Sequence, residues 1–437
     1  MERRIANNDS DSERSDDYLF DAKTAWFAFA MTIGLMLFDY IDRQVIVSLF
    51  PHIKEEWLLS DKQLGSLVSI VSVTVALGGI PIALIADRTS RVKSIFWMAL
   101  AWSLACISSM FTRSYGQLLT TRSIVGAGEA GYGSVGAALI ASHFPSRVRG
   151  ALLAGFFATA SVGSVLGVVL GGVIATHWGW KTAFGVVGVP GLLLALLYLK
   201  VKDYKTYRLT ERHDAAIQSA RGVVQFIVQA LSRTPTLLWT CVGAACQLIV
   251  VSSVWAWLPS YLNRFYDLPA DQAGIKAALV VLAGAIGSVV WGYIVDRAGR
   301  QAPRKKLFAM AAICVLAMVL LLIAFGVGTW FGTSPSLSGR LGLVILGGLV
   351  VTCTVGPVSA IVMDVVHPGV RSTGSSVLSL FQNLFGLAAG PFITGILSDA
   401  MGLQLAMAIM PAFGIFAALA FLKASGSYVP DMQKSKP

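Results

Sequence analysis

Twelve apolar stretches, each long enough to form a membrane-spanning helix, dominate this sequence of 437 residues. A hydrocarbon core of roughly 30 Å takes about 20 apolar residues of helix. The stretches predict an all-α integral membrane protein whose spans 1 to 12 cover residues 24–50, 62–86, 92–112, 116–143, 148–176, 180–200, 235–262, 271–295, 306–329, 340–363, 371–397 and 402–422. Only 13% of the residues are charged, against about 25% in soluble domains, which excludes a water-soluble enzyme.

The polar segments divide the chain into two equal sets of six spans. Residues 1–22 are polar and acidic, which predicts a disordered cytoplasmic tail. Residues 201–234 form the one long polar interruption and predict a cytoplasmic linker that is partly helical. The predicted domains are therefore the tail 1–22, a six-helix bundle at 23–200, the linker 201–234, a second six-helix bundle at 235–423, and a cytoplasmic tail at 424–437.

The basic residues predict the orientation of the chain in the membrane. Of the 34 lysines and arginines, 18 fall in one set of loops, seven in the two tails and seven in the opposite loops. By the positive-inside rule, both termini and the linker are cytoplasmic. These residues form no continuous tract, so nucleic-acid binding is not expected despite the net charge of +11. The outward loops are short and contain no Asn-x-Ser/Thr sequence, which favours a bacterial inner membrane.

Two short patterns occur once in each half of the chain. One pattern is Ala83-Leu-Ile-Ala-Asp87-Arg88-Thr-Ser-Arg91 after span 2 and Gly292-Tyr-Ile-Val-Asp296-Arg297-Ala-Gly-Arg300 after span 8, and its two aspartates are 209 positions apart. The other is His143-Phe-Pro-Ser-Arg-Val-Arg149-Gly after span 4 and His367-Pro-Gly-Val-Arg371-Ser-Thr-Gly after span 10, and its arginines Arg149 and Arg371 are 222 positions apart. Internal repeats of this kind are typical of secondary transporters.

These patterns resemble the major facilitator superfamily, whose characteristic Gly-x-x-x-Asp-Arg-x-Gly-Arg motif the second copy matches fully. The first copy departs from it at Ala83 and Ser90. The resemblance implies two pseudo-symmetric six-helix bundles, a central cavity lined by spans 1, 4, 7 and 10, and contacts of span 5 with span 8 and of span 2 with span 11. Asp39-Tyr-Ile-Asp42-Arg43 in span 1 and Arg122-x6-Glu129 in span 4 resemble the spinster branch, whose members move sphingosine 1-phosphate or lysophospholipids; similar openings occur in organic-anion transporters.

Five ionisable residues lie inside spans of the first half, where an unpaired charge is costly and normally faces a partner or a water-filled cavity. Asp39 and Arg43 share a helical face of span 1, as do Arg122 and Glu129 on span 4, whereas Asp42 points about 100° away from Arg43. We expect one charge network. Asp42 and Glu129 are the candidates for proton coupling, and the substrate and charge network comprises Asp39, Arg43 and Arg122. A purely structural ion-pair cluster is the alternative.

The motif residues Asp87, Arg88, Arg91, Asp296, Arg297 and Arg300 predict a charge latch that forms and breaks as the two halves move. Simple anchoring of the topology by basic residues is the alternative.

The second half carries no acid or base in mid-membrane. Its candidate cavity residues are polar or aromatic: Trp255, Trp257, Tyr261, Asn263, Gln382 and Asn383. A cavity that is charged on one side and apolar on the other suits an amphiphile. Ordinary packing or an interfacial aromatic belt is the alternative.

Together, the sequence predicts a monomeric, proton-coupled secondary transporter that works by alternating access, moves an amphipathic anionic lipid and uses no cofactor except protons. A proton-linked carrier of small organic anions or drugs is the alternative within transport. A membrane-embedded lipid enzyme or a receptor is disfavoured, because the sequence offers neither a nucleophile–base pair nor an extramembrane domain.

Overall fold

A computed structural model describes residues 18–204, 231–330, 336–366 and 371–434, and these ranges contain helices and no strand. Twelve helical segments are long and apolar enough to cross a membrane, as predicted. The first half consists of Ala22–Trp57 (span 1), Asp61–Arg88 (span 2), Arg91–Ser109 (span 3), Tyr115–Glu129 with Tyr132–His143 (span 4), Ser146–Trp178 (span 5) and Trp180–Tyr198 (span 6).

The second half repeats this arrangement. It consists of Pro235–Tyr266 (span 7), Ala270–Gln301 (span 8), Pro303–Trp330 (span 9), Leu337–Val351 with Val355–Val365 (span 10), Arg371–Phe381 with the π-helical turn Gln382–Leu387 and Ala389–Met401 (span 11), and Leu403–Ile409 with the 3-10 turn Met410–Ala412 and Phe413–Lys434 (span 12).

Spans 1 and 12 are among the helices that extend beyond the predicted boundaries. Span 1 continues through Pro51 to Trp57. Span 12 continues to Lys434, so most of the predicted tail 424–437 is helical. Tertiary contacts fix this extension: Tyr428 donates a hydrogen bond to Asp364 at 2.7 Å, and Asp431 accepts one from the backbone of Thr236 at 3.0 Å. The predictions for residues 1–17 and for the linker segment 205–230 lie outside the described residues.

The two halves meet through the helix pairs that the resemblance implied. Gly274 of span 8 approaches span 5 so closely that a Cβ atom there would lie 2.8 Å from the carbonyl oxygen of Val168. Gly395 of span 11 approaches span 2 in the same way, because a Cβ atom there would lie 2.5 Å from the carbonyl oxygen of Asp61. Small residues at both contacts let the helix backbones pack directly.

Spans 4 and 10 are both interrupted near their middle. Span 4 breaks at Ala130 and Gly131, where Gly131 adopts φ 82°, a left-handed conformation that glycine accepts without strain. Span 10 breaks at residues 352–354, between its two helices. Ala130 and Thr352 are separated by the same 222 residues that separate the repeated arginines after these spans. The duplication therefore preserves the helix breaks as well as the loop motifs.

Candidate functional site

The break in span 4 places a carboxylate against span 1 at the middle of the first half. Glu129 is the last residue before the break, and its Oε2 lies 3.0 Å from Nε of Arg43. The same Nε lies 3.1 Å from Oδ1 of Asp39, one turn earlier on span 1. Asp39 and Arg43 lie near the middle of a 36-residue helix. One guanidinium nitrogen thus contacts two carboxylates inside the membrane-spanning region.

Arg43 is the accessible member of this triad. Its side chain is 18% exposed, whereas the side chains of Asp39 and Glu129 are 3% and 0% exposed. Among the described residues, neither carboxyl oxygen of Glu129 has a well-aligned hydrogen bond, so the ion pair with Arg43 is its main polar contact. Glu129 also ends a helix, where the helix dipole favours cations over anions. Its negative charge therefore depends on Arg43.

Asp42 and Arg122 form a separate pair. Nη1 of Arg122 lies 3.1 Å from both carboxylate oxygens of Asp42, and Nη2 donates to the Asp42 backbone oxygen at 3.3 Å. The Cys106 thiol donates to Asp42 Oδ1 at 2.9 Å, and the ring of Phe184 lies 5.9 Å from the guanidinium. Arg122 is 0% exposed. This closed geometry favours a fixed ion pair over a group that exchanges protons or contacts substrate.

The predicted single network is therefore two adjacent clusters with different surroundings. The Asp42–Arg122 pair is neutral when both groups are ionised. The triad of Asp39, Arg43 and Glu129 contains two acids and one base, so it carries an unbalanced negative charge unless one carboxyl binds a proton. Burying an unbalanced charge is unfavourable. A proton bound by one of these carboxyls would balance the charge of the triad.

The second half carries a neutral counterpart of this triad. Pro51 in span 1 and Pro259 in span 7 occupy matching places near the ends of their helices. Asp39 and Gln247 are separated by the same number of residues as the two prolines. Gln247 donates from Nε2 to the carbonyl oxygen of Val351 at 2.8 Å, directly before the break in span 10. Sequence reasoning missed this residue. The break in span 4 is thus contacted from span 1 through an ion pair. The break in span 10 is contacted from span 7 through the hydrogen bond of an amide.

The predicted cavity residues of the second half separate into two groups. Trp257 and Tyr261 are fully buried, and Trp257 donates from Nε1 to the backbone of Pro391 at 3.0 Å and packs against the ring of Phe50. Tyr261 is hydrogen-bonded to Arg340. These two residues belong to the packed end of the bundle, which corrects their prediction as cavity lining. Trp257 is buried by its contact with Phe50 across the interface, and Tyr261 is buried by Arg340 and Phe325 within the second half.

The remaining predicted residues are partly accessible. Asn263 donates to the backbone oxygen of Leu268 at 2.9 Å and lies near the C-terminal end of span 7. Gln382 and Asn383 are half-buried in the π-helical turn of span 11. Trp255 is half-buried, and its indole Nε1 has no hydrogen-bond partner among the described residues.

Two loop-motif residues, Arg91 and Asp296, make contacts on their own side of the interface between the halves. Arg91 donates to Ser142 at 3.2 Å and to Tyr204 at 3.0 Å, in the first half and at the start of the linker. Asp296 forms an ion pair with Lys306 at 3.1 Å, and Arg297 and Arg300 are exposed. The side chains of Asp87 and Arg88 lie outside the described residues. In this conformation Arg91 and Asp296 thus use partners other than a latch between the halves.

A charged contact between the halves lies at the face opposite the termini, here called the outer face. Asp61, at the start of span 2, receives two hydrogen bonds from Arg264 of span 7 at 2.7 and 2.8 Å. Lys54 and Ser398 also donate to Asp61, each at 2.5 Å. Asp399 in turn accepts from the backbone nitrogens of Asp61 and Lys62 at 2.8 Å, which caps span 2 from the other half. These residues form the outer closure.

The sequence did not predict the outer closure. Arg264 and Asp399 fall at the ends of spans, where charges usually serve as topology anchors. The described residues contain no group of three or more His, Cys, Asp or Glu that could hold a metal ion.

Comparison with known proteins agrees with this architecture. The family model described as Major Facilitator Superfamily matches residues 32–389. An MFS-type efflux pump of Mycolicibacterium smegmatis is 26% identical over 387 residues, covering 87% of this chain and 86% of the relative. The protein spinster of Drosophila melanogaster is 24% identical, covering 87% of this chain and 63% of that protein. A solved bacterial homologue of the human lysosomal transporter spinster, inward-facing and unoccupied, superposes with TM-score 0.82 at 21% identity, over 94% of this chain and 99% of that one.

Proposed function

The chain belongs to the major facilitator superfamily and is a spinster-like membrane transport protein, and on that premise we propose that it couples a proton to the transport of an amphipathic anion such as a lysophospholipid or sphingosine 1-phosphate. The observation that carries this proposal is the contact of one accessible arginine, Arg43, with two buried carboxyls, Asp39 and Glu129.

Arg43 is suited to bind the anionic headgroup. A guanidinium recognises phosphate or carboxylate oxygens through paired hydrogen bonds. Because Arg43 is partly exposed, part of its guanidinium group is accessible. The Tyr40 ring lies 5.3 Å from the guanidinium carbon. An anion that binds Arg43 competes with Glu129 and Asp39 for the same positive charge.

This competition couples the two ligands. When the anion takes Arg43, Glu129 loses its main counter-charge at a position where water is scarce, so it binds a proton. Anion and proton therefore bind together, and the pair leaves together when the site opens to the other side. Asp39 remains one turn from Arg43 and keeps the guanidinium oriented. Coupling thus rests on Glu129 and Asp39, while Asp42 holds Arg122 in place.

Alternating access is the proposed mechanism of translocation. The outer closure ties spans 1, 2, 7 and 11 together, which supports an inward-facing state. Opening to the outside requires Arg264 to leave Asp61, and the predicted latch of Asp87, Arg88, Arg91 and the second motif would then form on the opposite side. Both termini are proposed to be cytoplasmic, in a bacterial inner membrane, with the monomer as the functional unit.

A second candidate is a proton-linked carrier of small organic anions or drugs. The similarity to the efflux pump of Mycolicibacterium smegmatis favours it. Both candidates share the proton site and differ in what occupies the second half, where Trp255, Gln382 and Asn383 are half-buried.

The test is uptake and counterflow in proteoliposomes, with and without an inward pH gradient, using a lysophospholipid, a sugar phosphate and a cationic dye. We expect gradient-stimulated movement of the lysophospholipid. Movement of the sugar phosphate alone would favour the organic-anion candidate. Movement of any substrate that ignores both the pH gradient and an added protonophore would contradict proton coupling.

A further inference from the structure

A cavity of about 390 Å³ with both polar and apolar lining lies at the outer face, beside the outer closure. The first half contributes the segment after the proline of span 1 and the end of span 5, and the second half contributes the end of span 7 and the turn that follows. Its lining residues include His52, Lys54, Glu55, Thr176, Asn263 and Arg264. Its volume falls in the range of small-molecule sites.

The cavity exists because the halves touch. His52 and Lys54 belong to span 1, and Arg264 belongs to span 7. Separation of the halves would carry Arg264 away from Lys54 and destroy the cavity. A ligand that fits it therefore binds the outer-closed conformation better than the outer-open one, and it shifts the equilibrium by the ratio of its two affinities.

The lining offers hydrogen-bond donors to an anion. Lys54 donates one hydrogen bond to Asp61, and its ammonium has three N–H donors; its side chain is 38% exposed. Arg264 has five N–H donors and uses two of them, one on each terminal nitrogen, to bind Asp61. Its side chain is 24% exposed. Nδ1 of His52 is buried without a partner among the described residues. Glu55 is the one acid of the lining and is exposed.

We propose that this cavity is a second, regulatory site for a small anion with a phosphate or carboxylate group, which bridges Lys54 and Arg264 and holds the outer face closed. The site is separate from the Arg43 triad. Its consequence is inhibition of transport from the outer side by an anion that is not itself carried. Only the transport consequence rests on the proposed function, because binding and conformation are measurable without a transported substrate.

The first test is binding of inorganic phosphate to the full chain purified in a neutral detergent. We expect phosphate to raise the midpoint of thermal unfolding, and the variant H52A to need at least threefold more phosphate for the same shift. The variant T176W fills the cavity and should abolish the shift. T120W is the matched control, because Thr176 and Thr120 are both exposed and each bonds only to its own helix, at Gly172 and Gly116 respectively.

The second test measures the distance between the halves at the outer face. Spin labels at R113C and M401C report it, since both positions are exposed and lie in different halves. We expect phosphate to increase the population at the short distance in the T120W background and to leave it unchanged in T176W. The same measurement in phosphate-free nanodiscs of phosphatidylglycerol and of phosphatidylcholine distinguishes a lipid headgroup from a free anion as the natural ligand.

Two results would overturn the proposal: an equal phosphate shift in T176W and T120W, or phosphate binding that leaves the distance distribution unchanged. Neither result bears on whether the Arg43 triad couples protons. Conversely, loss of proton-driven transport in a triad variant with intact phosphate binding would leave the regulatory site standing.

Discussion

Glu129 reaches from the broken middle of span 4 to place its Oε2 3.0 Å from Nε of Arg43 on span 1. This contact joins a carboxyl that is fully buried to a guanidinium that is partly accessible. The accessible partner can exchange its counter-ion for a ligand, whereas the buried partner can only lose or gain a proton. That asymmetry is the basis of the first prediction.

Glu129→Gln should reduce pH-gradient-driven uptake at least tenfold while substrate counterflow continues. The amide keeps the size of the side chain but can neither release a proton nor hold Arg43 by charge. The measurement is uptake and counterflow in the same proteoliposomes. Glu56→Gln is the matched control, because Glu56 is an exposed glutamate at the outer end of span 1 that pairs with Lys181, and this variant should transport as the wild type does. Wild-type gradient-driven uptake by Glu129→Gln would refute its role.

Asp42→Asn should destabilise the protein rather than uncouple it. The substitution replaces the carboxylate that pairs with the fully buried Arg122 by a neutral amide, and removing one charge of a buried pair costs about 3–5 kcal/mol. Thermal unfolding in detergent measures the effect. The double variant Asp42→Leu with Arg122→Met removes both charges and should recover most of the lost stability. A single variant of normal stability that no longer responds to a pH gradient would instead place Asp42 in the coupling step.

The sequence predicted the parts of the site that depend on helical periodicity. Asp39 and Arg43 are four residues apart, so their pairing follows from the helix alone. Asp42 points elsewhere on the same helix, which separates it from Arg43 and explains why it pairs with Arg122 from span 4. The division of one predicted network into two clusters thus follows from the angle between neighbouring residues, once the position of span 4 is known.

The parts that the sequence could not predict depend on how distant helices meet. Asp61 and Arg264 are 203 residues apart, and their pairing requires the relative placement of the two halves. The π-helical turn at Gln382–Leu387 likewise has no periodic signal. Trp257 and Tyr261 are aromatic residues of an inward-lying span, and only the packing against Phe50 and Arg340 distinguishes them from cavity residues.

Asp61→Asn should open the outer face. Asp61 receives hydrogen bonds from Arg264, Lys54 and Ser398, and the neutral amide can accept fewer of them and attracts neither cation. We expect a longer distance between spin labels at the outer ends of the two halves and faster alkylation of cysteines introduced between them. Glu56→Gln serves as the control, since Glu56 pairs with Lys181 in its own half and leaves the closure intact. An unchanged distance distribution would show that the closure is held by other contacts.

Gly395→Ala should oppose closure of the outer face without disturbing either half. A Cβ atom at this position would lie 2.5 Å from the carbonyl oxygen of Asp61 and 2.8 Å from its carbonyl carbon, and backbone atoms cannot move aside as a flexible side chain can. Span 11 must therefore retreat from span 2, and the equilibrium shifts toward the outer-open state. Gly426→Ala is the matched control, since a Cβ atom there meets nothing within 4 Å. The spin-label distance at the outer face should lengthen in Gly395→Ala and stay unchanged in Gly426→Ala. Equal distances in the two variants would mean that the close approach of spans 2 and 11 does not limit closure.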